Sequence, residues 1–191
     1  MSSLVIAVTG GIGSGKSTLC ALIKKLGYPV YSADETYAEL IKNEEFVKGI
    51  HSAVGAKTDS KTLDREEVSR IVFSCPEKLE ALNGYTHKKI VDKMFEKSRG
   101  KAVVFHEVPL LFEGGFENLY DNIIIVARPL EDRINSVVKR SSLSVEEVEK
   151  RIKNQFSYEN LDNIKHTVIT NDGDESQLEE RLKAVIDEII G

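Results

Sequence analysis

The sequence predicts an α/β fold in which helices cover both faces of a five-stranded parallel sheet. Short apolar runs typical of buried strands alternate with stretches of helical periodicity, and they lie near residues 4–8, 29–31, 102–105, 122–126 and 166–169. A glycine-rich segment that ends in lysine and serine follows the first run directly. Alternation of this kind is typical of parallel sheets, because a helix must carry the chain back between parallel strands.

The glycine-rich segment, residues 10–17, matches the pattern G-x-x-x-x-G-K-S. Its glycines let backbone N–H groups converge on phosphate oxygens, and the following helix adds its positive N-terminal end. The pattern predicts a P-loop NTPase-type fold and a nucleotide site formed by Gly11, Ile12, Gly13, Ser14, Gly15, Lys16, Ser17 and Thr18. Lys16 would reach the β- and γ-phosphates, and Ser17 would ligate Mg²⁺. A turn without a ligand is the alternative, but it needs no lysine and hydroxyl after the last glycine.

Helix starts are marked by capping pairs at Asp64 with Glu67, Ser144 with Glu147, and Asp174 with Gln177. The span 35–100 between the second and third strands is mostly helical and too long for a simple crossover. We interpret it as an inserted helical subdomain, and residues 140–163 as a second, smaller insertion. The sequence shows no internal repeat, low-complexity tract or linker, so residues 1–191 are predicted to form a single domain.

Composition excludes several classes of protein. A net charge of -5 argues against a broad nucleic-acid surface, and the two cysteines show no metal or disulfide spacing. The apolar run at 4–8 is too short to span a bilayer, and no positively charged leader precedes it. We therefore expect a cytoplasmic protein without nucleic-acid or membrane partners; its oligomeric state is left open.

In open α/β sheets ligands bind beyond the carboxyl ends of the strands, which directs attention to Asp34 and Glu107. Asp34 follows the second strand, where a carboxylate could orient and deprotonate an attacking hydroxyl. Its alternative is a helix N-cap, and a residue can do both. Glu107 ends the third strand, as a Walker-B-like group would, so it could hold a magnesium-bound water; a salt-bridged carboxylate is an equal alternative.

The chain resembles the dephospho-CoA kinases over its whole length. The matching motifs are Thr9 to Thr18, Ala33-Asp34, Leu63-Asp64-Arg65, Leu82-Asn83 with His87, Pro109-Leu110-Leu111-Phe112-Glu113, Arg140, Arg151-Ile152-x-x-Gln155 and Val168-Ile169-x-Asn171. The P-loop alone indicates only a superfamily, whereas the P-L-L-F-E and L-D-R motifs are specific to this family. The resemblance implies transfer of the ATP γ-phosphate to the ribose 3′-hydroxyl of dephospho-coenzyme A, with ATP and Mg²⁺ as cofactors.

The resemblance also implies that the insertion 35–100 binds the acceptor and that the insertion 140–163 is a lid. Asp34 would be the catalytic base, Arg65 would contact acceptor phosphate, His87 would lie nearby, and Pro109 with Leu110 would form an apolar wall. A surface arginine, a locally packed histidine and core leucines are the respective alternatives. The family commonly has aspartate where this chain has Ser32, and proline where it has Lys88.

Around the nucleotide, the resemblance implies that Arg140 and Arg151 belong to a lid that neutralises the triphosphate, with Arg140 catalytic and also near the adenine face. We expect Lys139 and Arg140 in a loop, and Arg151 on the helix that Ser144 begins. The alternative for this helix is a solvated face with the i,i+4 pairs Glu146–Lys150 and Glu147–Arg151. Asn171 and Gly173 would contact the adenine edge; a plain Asn-Asp-Gly turn is their alternative.

Two other functions are considered. Another P-loop small-molecule kinase, such as a nucleoside monophosphate or shikimate kinase, would share the P-loop but not the L-D-R and P-L-L-F-E motifs. A GTPase switch would need an N-K-x-D guanine motif, which the sequence lacks.

Overall fold

The computed structural model describes residues 3–57, 60–158, 161 and 164–191. The chain divides into two compact units: a sheet unit, residues 1–30 with 100–191, and a helical unit, residues 31–99. No helix in the described ranges is long and apolar enough to cross a membrane.

The central sheet has five strands: β1 (Leu4–Thr9), β2 (Val30–Ser32), β3 (Val103–Glu107), β4 (Asn122–Ala127) and β5 (His166–Thr170). Their spatial order is β2-β3-β1-β4-β5, and the pairs β1–β3, β1–β4 and β4–β5 are parallel. The predicted α/β class is therefore confirmed. Because β1 lies in the middle of the sheet, residues 5–9 are buried, and the segment that follows emerges at the centre of the carboxyl edge.

Among the described residues, four helices belong to the sheet unit and four to the helical unit. The chain order is α1 (Lys16–Lys25), α2 (Ala33–Leu40), α3 (Glu44–Val54), α4 (Arg65–Ser74), α5 (Pro76–Ser98), α6 (Leu130–Arg140), α7 (Val145–Lys153) and α8 (Glu175–Ile190), with a 3₁₀ turn at Glu117–Leu119. Leu19 and Ile23 of α1 and Leu178 and Leu182 of α8 pack with the strands in one core cluster. Burial of these side chains removes apolar area from water and is the main stabilising contribution.

The helical unit has its own core. Phe46, Ile50 and Val54, spaced four residues apart on α3, pack with Val68 of α4. Tyr85 of α5 stacks on Phe46, with ring centroids 5.6 Å apart. Pro76 occupies the first turn of α5, where its missing N–H costs nothing.

The capping predictions are confirmed at all three helix starts. Asp64 accepts a hydrogen bond from the Glu67 N–H, and Ser144 and Asp174 each form a full capping box. The apolar runs predicted near 29–31 and 102–105 stop short of the strand ends: β2 runs through Ser32, and β3 ends at Glu107, which confirms the prediction that Glu107 ends the third strand. Parallel pairing of β1 with β3 extends as far as Val8 and Glu107 and outweighs the change to polar side chains.

Candidate active site

The P-loop, residues 10–17, joins the central strand β1 to α1. Gly15 is the N-cap of α1 and adopts a left-handed conformation, with φ +98°. A Cβ atom at this position would collide with the Asn171 side-chain amide, so only glycine fits. The first N–H groups of α1 have no partner within the helix, and they make its N-terminus suited to an anion.

Lys16 folds back onto the loop that it follows. Its Nζ donates to the carbonyl oxygens of Gly10, at 2.7 Å, and Gly11, at 3.1 Å. Burial lowers the pKa of Lys16, Glu107 acts in the opposite direction, and the charges of Arg133 and Arg140 lower it further. Glu107, Arg133 and Arg140 therefore all lie within electrostatic reach of Lys16.

Ser17 and Glu107 face each other at the carboxyl edge of the sheet. Ser17 Oγ donates to Glu107 Oε1 at 3.4 Å, and Glu107 is the last residue of β3. A hydroxyl and a carboxylate are hard oxygen donors, and Mg²⁺ in nucleotide enzymes takes few protein ligands beside phosphate and water. This donor set fits Mg²⁺. Thr18, the next residue of α1, is exposed.

Asn171, directly after β5, is tied to the P-loop. Its Nδ2 donates to the Ser14 carbonyl at 2.9 Å, and its backbone N–H donates to Ala127 at 2.8 Å. Arg181 of α8 holds the same loop through the Thr170 carbonyl and the Asp172 carboxylate. Gly173, which was predicted beside Asn171, is exposed, and its loop leads into the capped start of α8.

Ile12 is held by two side chains from the chain beyond β4. Its N–H donates to Gln155 Oε1 at 2.8 Å, and its carbonyl accepts from Arg133 Nε at 3.0 Å. Both polar backbone groups of Ile12 are thus occupied in this arrangement, and its contact with nucleotide stays a prediction. Sequence reasoning missed Arg133, since a lone arginine in the first turn of a helix carries no distinguishing pattern.

Arg140 and Arg151 lie on two successive helices. Arg140 is the last residue of α6, which corrects the prediction of a loop at Lys139 and Arg140: the helix continues until Ser141 turns extended. Arg151 is on α7, as predicted, and both arginines are exposed. The capping box occupies the carboxylate of Glu147, which explains why it forms no salt bridge with Arg151 among the described residues.

The segment after β3 is anchored to the chain beyond α7. Glu113 Oε1 accepts from the Phe156 N–H at 3.1 Å, and Phe112 stacks on Phe156 with ring centroids 4.7 Å apart. Pro109 is half-buried, Leu111 is buried and Leu110 is 42% exposed. Core packing is thus right for Leu111 and wrong for Leu110, whose side chain remains available to a ligand.

The helical unit carries Asp34, Arg65 and His87. Asp34 is the second residue of α2 and is exposed; Ser32 is the N-cap, so the capping alternative for Asp34 is wrong. Arg65 begins α4 and is exposed, next to the capping residue Asp64.

His87 is half-buried within α5. With Lys88 in place of proline, α5 runs unbroken through this position, and Lys88 pairs with Asp92 at 3.4 Å. Contacts of Asp34, Arg65 and His87 with a substrate stay predictions.

A parallel sheet of order β2-β3-β1-β4-β5, with a glycine-rich loop and lysine after its central strand, defines a P-loop kinase. Solved structures agree: shikimate kinase from Acinetobacter baumannii shares the fold, with a TM-score of 0.57 and 17% identity over 100% of this chain and 97% of that one.

The chain belongs to the dephospho-CoA kinase family. The family model described as "Dephospho-CoA kinase" matches residues 4–177. Dephospho-CoA kinase from Thermus thermophilus is 41% identical over 98% of this chain and 93% of its own. The enzyme from Fusobacterium nucleatum is 36% identical over 97% and 96%. The solved dephospho-CoA kinase of Campylobacter jejuni has a TM-score of 0.68 and 29% identity, covering 98% of this chain and 97% of its own. The recognition made from the motifs is confirmed, and the chain is a nucleotide-binding kinase.

Proposed function

We propose that this chain transfers the γ-phosphate of ATP to the ribose 3′-hydroxyl of dephospho-coenzyme A. The observation that carries the proposal is the cluster of Lys16, Ser17 and Glu107 at the carboxyl edge of the sheet, in a chain of this family. An ammonium, a helix N-terminus and a hard-oxygen pair together suit a nucleoside triphosphate with Mg²⁺.

The P-loop binds the donor phosphates by exchange of hydrogen bonds. Lys16 leaves the carbonyls of Gly10 and Gly11 and donates to the β- and γ-phosphates, while the N–H groups of the loop and of the first turn of α1 surround them. Ser17 would hold Mg²⁺, and Glu107 would hold one of its waters. The ion supplies charge neutralisation on the phosphates when bound.

Asp34 orients the acceptor hydroxyl and takes its proton. It lies two residues beyond the end of β2, at the sheet edge where open α/β folds bind their ligands. Its exposed carboxylate is accessible to a hydroxyl, as a base requires. Arg65, His87, Pro109 and Leu110 contact the acceptor, with the guanidinium on a phosphate group.

The segment 140–163 acts as the lid; its residues 159–160 and 162–163 lie outside the described ranges. Arg140 and Arg151 neutralise the negative charge of the transferring phosphoryl group. Charge that develops in the transition state is best stabilised by groups that are already in place. Asn171 and Gly173 contact the adenine edge. We also propose that the enzyme is cytoplasmic and acts without nucleic acid or membrane partners.

The decisive experiment measures ATP turnover with dephospho-coenzyme A, AMP, shikimate or no acceptor. We expect turnover with dephospho-coenzyme A alone, and ³¹P NMR should show a new phosphomonoester on the ribose 3′-oxygen. Faster turnover with AMP or shikimate would support another small-molecule kinase. Equal, slow hydrolysis with every acceptor would contradict the kinase assignment and favour a nucleotide switch.

A further inference from the structure

The centre of the P-loop is braced at a single residue. Ile12 N–H donates to Gln155 Oε1 at 2.8 Å, and Ile12 C=O accepts from Arg133 Nε at 3.0 Å. These partners lie 143 and 121 residues away in the chain. Two side chains therefore hold both peptide groups that flank Ile12, in a loop whose neighbouring residues are glycines with little conformational preference of their own.

The partner residues are themselves fixed. Gln155 lies two residues beyond α7, and the next residue, Phe156, donates its N–H to Glu113 and stacks on Phe112. Arg133 belongs to the first turn of α6, where its backbone N–H donates to the Pro129 carbonyl at 3.0 Å. The brace thus joins the P-loop to the family-specific P-L-L-F-E segment and to α6.

A displaced Ile12 would change what the loop offers a ligand. If Gln155 lost its carbonyl oxygen, the half-buried Ile12 N–H would need another acceptor, and the flanking glycines would let the peptide rotate to find one. Rotation would turn neighbouring N–H groups away from the position where phosphate oxygens bind.

We propose that Gln155 and Arg133 are positioning residues for the donor nucleotide: they fix the two peptide groups of Ile12 and so hold the P-loop in its phosphate-binding shape. Neither residue needs to touch the substrate. The inference rests on the proposed function only in taking a nucleoside triphosphate as the ligand of the loop.

The test compares Gln155→Met and Arg133→Met, which keep side-chain length and remove the acceptor or the donor, with Asn154→Ala. Asn154 is exposed and adjacent to Gln155, so its variant controls for a change in this segment. Each methionine variant should raise KM for ATP and Kd for a non-hydrolysable ATP analogue about tenfold. The KM for dephospho-coenzyme A should stay within about twofold, and Asn154→Ala should match the parent protein.

Energetic coupling between the substitutions at Gln155 and Arg133 provides a second readout. Because both side chains hold one residue, the double variant should weaken nucleotide binding by less than the product of the two single effects. The Ile12 amide resonance should also shift in Gln155→Met, since its hydrogen-bond acceptor is gone. If Gln155→Met does not fold, Arg133→Met answers the same question from the carbonyl side.

The inference is overturned if nucleotide affinity is unchanged in the folded variants, or if KM rises equally for both substrates. Analogue binding is measured without any acceptor. Failure of the parent protein to phosphorylate dephospho-coenzyme A would therefore count against the proposed function and leave this test intact.

Discussion

Asp34, the proposed base, can be substituted without removing the cap of α2. It is exposed and does not cap α2, so a substitution there removes little structure. Asp34→Asn should lower kcat by about 10² to 10⁴, or about 3 to 5 kcal/mol, with an unchanged melting temperature. Steady-state kinetics and a thermal melt check this, with Glu35→Gln as the neighbouring carboxylate control. Turnover near that of the parent protein would remove Asp34 from the chemistry.

Glu107 is the carboxylate proposed to hold a water of the Mg²⁺ ion. Its carboxylate accepts from Ser17 at 3.4 Å, which places a hard oxygen donor beside the P-loop serine. Glu107→Gln should raise the Mg²⁺ concentration for half-maximal activity about tenfold, because an amide binds a hard cation less well than a carboxylate. A Mg²⁺ titration at saturating ATP measures this. An unchanged midpoint would leave Glu107 with a structural role only.

Strand β3 carries a buried titratable group. His106 is 0% exposed, its Nδ1 lies 3.3 Å from the Tyr120 hydroxyl, and burial lowers the pKa of His106 to about 4. Above pH 6.5 the imidazole is neutral in folded and unfolded chains, whereas below it the unfolded chain gains the proton first. The free energy of unfolding should therefore fall by about 2 kcal/mol between pH 7 and pH 5 on account of this group.

Urea unfolding at the two pH values tests the effect. His106→Asn should be less stable than the parent protein at pH 7, because it loses packing and a hydrogen bond, yet it should lose less stability on acidification. His166→Asn, at the half-buried start of β5, is the control. An identical loss in parent and His106→Asn would contradict the pKa of His106.

The elements were predictable where local chemistry decides them. Capping pairs identified the starts of α4, α7 and α8, and apolar runs identified all five strands. The loop predicted at Arg140 is wrong because Lys139 and Arg140 are basic residues, which the helix dipole favours in the last turn of α6. Arg133 and its bond to Ile12 depend on contacts between distant residues, which no local pattern encodes.

Nucleotide binding should protect the lid segment from hydrogen exchange much more than it protects the central strands. If Arg140 and Arg151 pair with triphosphate only in a closed state, an ATP analogue shifts the population towards it by the difference in affinity, and charge-assisted hydrogen bonds contribute about 1.5 to 3 kcal/mol each. Hydrogen exchange over residues 140–158 should slow on adding the analogue, while β1 and β4 change little. Arg140→Ala should weaken the slowing and lower kcat.

Lys139→Ala, at the exposed residue before Arg140, serves as the control for lost positive charge. Equal protection of residues 140–158 with and without nucleotide would mean that the segment is a static insertion. So would unchanged turnover in Arg140→Ala.

Gly11 and Gly13 differ in the atoms that a side chain at each position would meet. A methyl group on Gly11 would meet the Arg133 guanidinium, which is held by its bond to the Ile12 carbonyl. A methyl group on Gly13 would meet the Arg133 backbone, with Cα and C both 3.0 Å away, at a φ of +77°. Alanine therefore fits in place of Gly11 when the side chain at position 133 is shorter. No change of side chain at position 133 makes room for alanine in place of Gly13, because the obstacle there is backbone. Among relatives, alanine at the position of Gly11 should accompany a short side chain at that of Arg133. In the laboratory, Arg133→Ala should restore folding to Gly11→Ala and not to Gly13→Ala.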